Sequence, residues 1–233
     1  MLILATDTSG KQGSIALAEC DGETCEIVEI VPLTGGTFSA QLIPQISALL
    51  AKHNFTKFEL GGFAVVSGPG SFTGLRVGLA AIKGLAEILG KPIAAVSLLE
   101  AVAAASRKPE KVLAALDAGR NELYVGEYET ALLLGAKGVR SGAPKSFKPA
   151  TEKLISREEL LQTAKKAMIV TPDQELADVA LAHDLSVEII ERPRSDSIAR
   201  IGWLKLQSGQ TVSTEDLEAN YIRRSDAEIF AKK

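Results

Sequence analysis

The elements that the chain predicts run through one order twice, and few folds allow that. From its first residue the chain reads strand, strand, strand, helix, strand, helix, strand, helix, and a looser copy follows residue 110. Strands alternating with helices favour mixed or parallel sheets covered on both faces. The expectation is an α/β protein of two duplicated lobes, each a mixed sheet flanked by helices. In the first copy, 1–7 is a strand, and 13–20 and 25–33 form a hairpin about Asp21-Gly22-Glu23-Thr24. Leu42, Ile43, Ile46, Leu49 and Leu50 then recur at three and four, an amphipathic helix capped by Ser39 with Pro44 near its first turn. Strands at 63–67 and 92–96 and helices at 73–89 and 97–106 complete that copy. The second copy has strands at 111–116, 122–129, 168–171 and 186–190, and helices at 156–167, 174–183 and 195–206. Residues 130–150, with five glycine or proline residues, read as a loop with room for one irregular strand. Lobe one is expected at 1–105, joined by the C-terminal helix 195–208. Lobe two is expected at 106–194, with 209–233 as a tail.

Composition removes several classes of function. Of 233 residues, 46% are hydrophobic and 24% charged, the balance of a folded globular chain. A net charge of −3 argues against a protein that holds nucleic acid by charge alone. The longest uncharged stretch, 30–51, is broken by Thr34, Gly35, Gly36, Gln41, Pro44 and Gln45, so no membrane span is expected. No targeting signal stands out at Met1–Thr6, and the chain reads as cytoplasmic. Its 2 cysteines, Cys20 and Cys25, fall opposite one another across the hairpin. They are within reach of a bridge, and a reduced pair is the favoured reading.

The most specific string is Gly68-Pro69-Gly70-Ser71-Phe72-Thr73-Gly74-Leu75-Arg76, which leaves a buried strand and enters a helix. It lacks the Lys-Ser/Thr pair of a nucleotide-binding P-loop and does not match the dinucleotide fingerprint. Two readings stand: backbone N–H groups cradling an anion, or glycines admitting another backbone. Local chemistry favours packing. The helix that follows is apolar around most of its circumference, more than its own sheet can use. A partner face is therefore expected from Gly74, Gly78, Ala81 and Leu85, with Leu42, Ile46 and Leu49 of the first helix beside it. Asp7 and Asp117 end the first strand of each copy, where two-lobed phosphotransferases hold metal-bound phosphates. The bland alternative is that Asp suits such turns. His53 and His183 are the 2 histidines and form no metal motif, so no metal site and no cofactor are expected. The basic residues near the C-terminus, Arg223 and Arg224 among them, are interleaved with acids and read as a solvated mixed-charge tail.

Four segments carry a family resemblance: Leu4-Ala5-Thr6-Asp7-Thr8-Ser9, Ser39-Ala40-Gln41-Leu42-Ile43-Pro44, the glycine string through Gly78, and Leu116-Asp117-Ala118 with Glu122-Leu123-Tyr124. They closely resemble the bacterial TsaB (YeaZ) family, and the likeness returns at Tyr221-Ile222-Arg223. The resemblance implies the two-lobed fold of the actin, sugar-kinase and Hsp70 ATPase class, with RNase H-like lobes. It also implies a dimerisation subunit, without catalysis of its own, in forming N6-threonylcarbamoyladenosine at position 37 of tRNAs that read codons beginning with A. The implied partners are a metal-binding catalytic paralogue of the TsaD type, a TsaE-type ATPase, and tRNA through the complex, with a homodimer when the chain is alone. The paralogue's HxxxH metal motif has no counterpart here. Val170-Thr171-Pro172-Asp173 lacks the glycine pair with which ATP-binding relatives hold adenosine. Family members usually carry His where this chain has Phe38, and often Pro where it has Asn220. The competing readings are an ATP-dependent phosphotransferase or ATPase, a metallopeptidase and a direct tRNA binder.

Overall fold

The computed structural model describes residues 1–34, 37–107, 111–129, 151–164 and 167–223. The strands are β1 (Leu2–Asp7), β2 (Gln12–Asp21), β3 (Thr24–Thr34), β4 (Leu60–Gly68), β5 (Ile93–Ser97), β6 (Lys111–Gly119), β7 (Glu122–Glu129), β8 (Lys153–Ser156), β9 (Met168–Thr171) and β10 (Val187–Ile189). The helices are α1 (Phe38–Lys52), α2 (Phe72–Leu89), α3 (Leu98–Ala104), α4 (Arg157–Thr163), α5 (Gln174–Leu181) and α6 (Ser195–Gln207). Among the described residues two compact units result: Met1–Ser97 with Arg194–Asn220, and Leu98–Pro193 with 221–223.

The first unit is built on a sheet ordered β3-β2-β1-β4-β5, antiparallel between the first three strands and parallel between the last three. All of β1 is buried, so both faces of the sheet are covered. Side chains alternate across a strand. Ala5 and Ala64 therefore share the face taken by α6, where a Cβ on Gly202 would lie 2.3 Å from the Cβ of Ala64. Thr6 and Gly13 point to the other face, under α1 and α2, where Phe38 packs against Gly13. Burial of Phe38 draws the start of α1 back to that residue, so Ser39 lies inside the helix and the expected cap is not used. Pro44 consequently stands in the second turn. Its missing N–H leaves a carbonyl at Ala40 on the exposed side, where water can serve it. Ser71 caps α2 by accepting from the Gly74 N–H at 3.3 Å, and Gly90, at φ +62°, ends the helix in the left-handed conformation.

The second unit repeats the topology, with its sheet ordered β10-β9-β6-β7-β8. Strands β6 to β10 take the places of β1 to β5. The duplicated α/β fold expected from the sequence is the fold observed. The third strand of the copy, β8, falls just beyond the 130–150 segment, where the sequence left room for one irregular strand. Leu113, Ala115, Leu123, Val125, Ile155 and Leu160 form the centre of this unit's core, on the side covered by α4 and α5. The last helix of each copy changes sheets: α3 follows β5 but packs on β6, β7 and β9, and α6 follows β10 but packs on β1, β2, β4 and β5. The expected loop at 130–150 lies outside the described residues. Among the described residues no helix is long and apolar enough to cross a membrane.

Candidate functional site

The glycine string leaves β4 at Gly68, whose φ of +136° suits glycine, and Asn220 donates its N–H to the Ser67 carbonyl there at 2.7 Å. Pro69 follows through a cis peptide bond. The string then wraps the corner at the end of β1. Ser71 donates its N–H to the Ser9 carbonyl at 2.7 Å, and the Thr8 hydroxyl donates to the Gly74 carbonyl at 2.7 Å. A Cβ at Gly70 would lie 2.5 Å from the Ser9 carbonyl oxygen, at Gly74 2.0 Å from that of Thr8, and at Gly78 2.3 Å from the Thr8 hydroxyl. All three are far inside contact distance. The glycines admit this chain's own backbone, as the packing reading expected.

That arrangement corrects the expected partner face. Gly74 and Gly78 are buried on Thr8, and Leu42, Ile46 and Leu49 are buried beneath α1, so none of the five is open to a partner. Ala81 and Leu85 are half-buried at the margin. At 3.6 residues per turn, the outward face of α2 lies about a quarter turn away from the expected one. Ala80, Gly84 and Ile88 are exposed along it, with Val77 and Ala81 half-buried beside them. Arg76, Lys83 and Glu87 share one edge. Arg76 stacks over the Phe72 ring at 3.9 Å from its centroid, and Glu87 accepts from the Thr214 hydroxyl. The outward side of α1 bears Ala40, Ile43, Pro44, Ser47, Ala48 and Ala51, and no residue from Phe38 to Ala51 is charged. Ile43 is 49% exposed and Ile88 75%. Since α1 and α2 touch and cover one face of the sheet, their outer sides form one nearly uncharged surface.

Each acidic turn is bonded within its own unit. Asp7 is 4% exposed, and its Oδ1 accepts from the Ser9 N–H at 2.8 Å and the Ser9 hydroxyl at 2.6 Å. In the second unit the Asp117 N–H donates to Asp173 Oδ2 at 2.7 Å, while Arg157 reaches Asp117 at 3.5 Å and Glu175 at 2.8 Å. The Glu175 hydrogen bond, outweighing burial, raises the Arg157 pKa. Asp173 donates its own N–H to the Thr171 hydroxyl at 3.1 Å.

Arg223 is also placed otherwise than expected. Its guanidinium donates to the Ala118 carbonyl at 2.8 Å, the Gly119 carbonyl at 3.1 Å and the Glu122 carboxylate, tying down the turn between β6 and β7. It is a structural clamp and not a solvated charge. Nothing in local sequence marks it, because the partners lie about a hundred residues away. Burial raises the pKa of nearby Tyr124, against the charge of Arg223.

The two histidines and the two cysteines each have a partner. His53 meets Glu29 at 2.7 Å, and His183 Nδ1 lies 2.9 Å from the Val179 carbonyl at the end of α5. Among the described residues no three His, Cys, Asp or Glu side chains gather as metal ligands. Cys20 and Cys25 stand in direct register and are joined, where the sequence reading favoured a reduced pair. Their Cα atoms, 4.1 Å apart, bring the sulfurs together.

Comparison with known proteins decides the family. The family model described as TsaD, tRNA N6-adenosine threonylcarbamoyltransferase, matches residues 30–172. The chain belongs to this family. Within it the chain stands with the TsaB (YeaZ) members. The "tRNA threonylcarbamoyladenosine biosynthesis protein TsaB" of Escherichia coli is 27% identical over 233 residues, covering 97% of this chain and 96% of that protein. Its namesakes in Bacillus subtilis and Haemophilus influenzae are each 36% identical over 130 residues, covering 55% and 54% of this chain. The chain spans about half the length of those two relatives, 56% and 53%. YeaZ from Pseudomonas aeruginosa superposes with a TM-score of 0.68 at 22% identity, over 94% of this chain and 99% of that one, a shared fold.

Proposed function

We propose that this chain is a pairing subunit, without catalysis of its own, of the assembly that forms N6-threonylcarbamoyladenosine at position 37 of tRNAs reading codons that begin with A. Its partner is a catalytic TsaD-type subunit, joined by a TsaE-type ATPase, and tRNA is met through the complex. Alone, the chain pairs with itself through the same surface. The observation that carries this reading is the outer side of α1 and α2, which exposes Ile43, Ala80, Gly84 and Ile88 with no charge on α1 before Lys52. Monomeric proteins rarely leave such apolar ground in water. Its small side chains allow a second helix pair to approach closely. The relatives' names supply the pathway. The internal bonding of Asp7 and Asp117 supports the absence of catalysis.

Ala80→Arg and Ser47→Arg test the surface, since both positions are exposed and neither change disturbs the core. A charge left unpaired in the joint costs several kcal/mol, about a thousandfold or more in affinity. Each variant is expected to keep its circular dichroism, and to lose both co-purification with the TsaD-type subunit and tRNA modification in a reconstituted assay. Normal pairing by both variants overturns the assignment of the surface. Pairing lost with modification intact overturns the function.

A further inference from the structure

The two cysteines of the chain occupy one spot, and nothing in the proposed function uses them. Cys20 on β2 and Cys25 on β3 are direct partners in the register, joined through their sulfurs at a Cα separation of 4.1 Å. Cys20 is 1% exposed, whereas Cys25 is half-buried, so Cys25 is the more open of the two residues. The turn they close is held from outside the hairpin. The Gly22 carbonyl accepts from Trp203 Nε1 at 3.0 Å and from Gln207 Nε2 at 2.5 Å, both on α6. The pair therefore sits where a covalent change is passed from an edge hairpin to the helix covering the whole sheet.

Charge around the pair is mostly negative, with one cation: the Met1 ammonium donates to the Cys20 carbonyl at 2.7 Å. Glu19, Asp21, Glu23 and Glu26 flank it along the hairpin, and no Lys or Arg lies between Gln12 and Thr34. Glu19 and Glu26 face each other in the adjacent register pair, on the opposite face of the hairpin from the cysteines. Four carboxylates outnumber that single ammonium, so the net field repels an anionic reagent and attracts a cationic one.

We propose that Cys20 and Cys25 form a reversible thiol–disulfide clasp, entered at Cys25, whose exchange partner is a small cationic or neutral disulfide. In closing, the Cys25 thiolate attacks the reagent's disulfide; a Cys25–S bond forms, the reagent's S–S bond breaks, and one small thiol leaves. Cys20 then attacks Cys25 Sγ, forming the intramolecular bond and releasing the second small thiol. Two protein thiols lose two protons and two electrons; the reagent gains both as two thiols. Opening is the reverse, driven by excess small thiol.

The test uses the full chain, reduced and then exposed to cystamine, which is cationic, or oxidised glutathione, which is anionic. Intact mass and alkylation count the thiols, and Trp203, the single tryptophan, reports the turn. Both thiols are expected to disappear together, with the mass of the untreated chain less two hydrogens and a fluorescence change that dithiothreitol reverses. Cystamine is expected to react faster, by a ratio that falls toward one at about 1 M salt, where the Debye length is about 3 Å. Cys20→Ser should stop at a stable adduct on Cys25, and Cys25→Ser should form none. Equal adduct formation on both single variants, accumulation of intermolecular dimers, or no salt-dependent preference for cystamine overturns the proposal.

Discussion

At Gly74 a hydrogen is the only side chain that fits. The Thr8 carbonyl oxygen would lie 2.0 Å from a Cβ there, and Thr8 is itself bonded back to the Gly74 carbonyl. A methyl group must therefore push two backbones apart, and neither can yield without breaking that bond. Gly74→Ala is expected to lower unfolding free energy by about 1–3 kcal/mol or more. Gly84, ten residues along the same helix, has nothing within 4 Å of the same imagined atom. There the helix gains from losing glycine's freedom, and Gly84→Ala is expected to raise stability by about 0.5–1 kcal/mol. Urea midpoints of the two variants check both signs together. The sequence made the need for close approach legible, since glycines spaced along a helix have few other uses. It did not make legible which surface approaches. Gly74, Gly78 and Ala81 share a small face, and only the position of Thr8 in space decides that it turns inward.

At the scale of elements, α1 is pinned at its C-terminal end. Glu29 on β3 takes Lys52 Nζ and His53 Nε2, each at 2.7 Å. The Lys52 hydrogen bond first, and that of His53 next, hold the Glu29 carboxyl below the usual carboxylate range. A carboxyl with a depressed folded pKa stabilises the fold above its unfolded value, about 4.3, and that contribution is lost as pH falls through the lower folded value. Glu29→Gln is expected to melt earlier than wild type at neutral pH, with the gap closing below about pH 4.3. Thermal melts of both proteins from pH 7 to pH 3 measure this. A gap that stays constant, or widens in acid, assigns the difference to packing instead. Element identity was largely legible, because β2–β3 and α2 have long and regular periods. The start of α1 was not, since the burial of Phe38 against Gly13 outweighs the better cap at Ser39. Strand β8 was not legible either: four residues, Lys153 to Ser156, are too short to show a period, and only their pairing with β7 defines them.

For the whole molecule, duplication places Asp7 and Asp117 at equivalent strand ends, and equivalence invites a shared catalytic role. The bonding of each argues otherwise. Asp7 spends Oδ1 on both donors of Ser9, within the corner that the glycine string encloses. Asp117 is paired to Arg157, and the N–H that a phosphate would seek is already given to Asp173. Groups that complete their own turns in this way shape the fold, and an amide of nearly equal shape can replace most of what they do. The chain carrying both Asp7→Asn and Asp117→Asn is therefore expected to fold, to assemble with the TsaD-type subunit, and to support tRNA modification within about twofold of wild type, about 0.4 kcal/mol in the barrier. Removing a group that stabilises charge in a transition state typically costs about a hundredfold or more in rate. The two readings thus differ by well over an order of magnitude in one assay. Quantitative reconstitution decides, with assembly checked by size-exclusion chromatography. A hundredfold loss of modification in an intact complex makes the acidic turns an active site and ends the pairing-subunit reading. A loss that tracks disassembly instead marks them as part of the framework that carries α1 and α2.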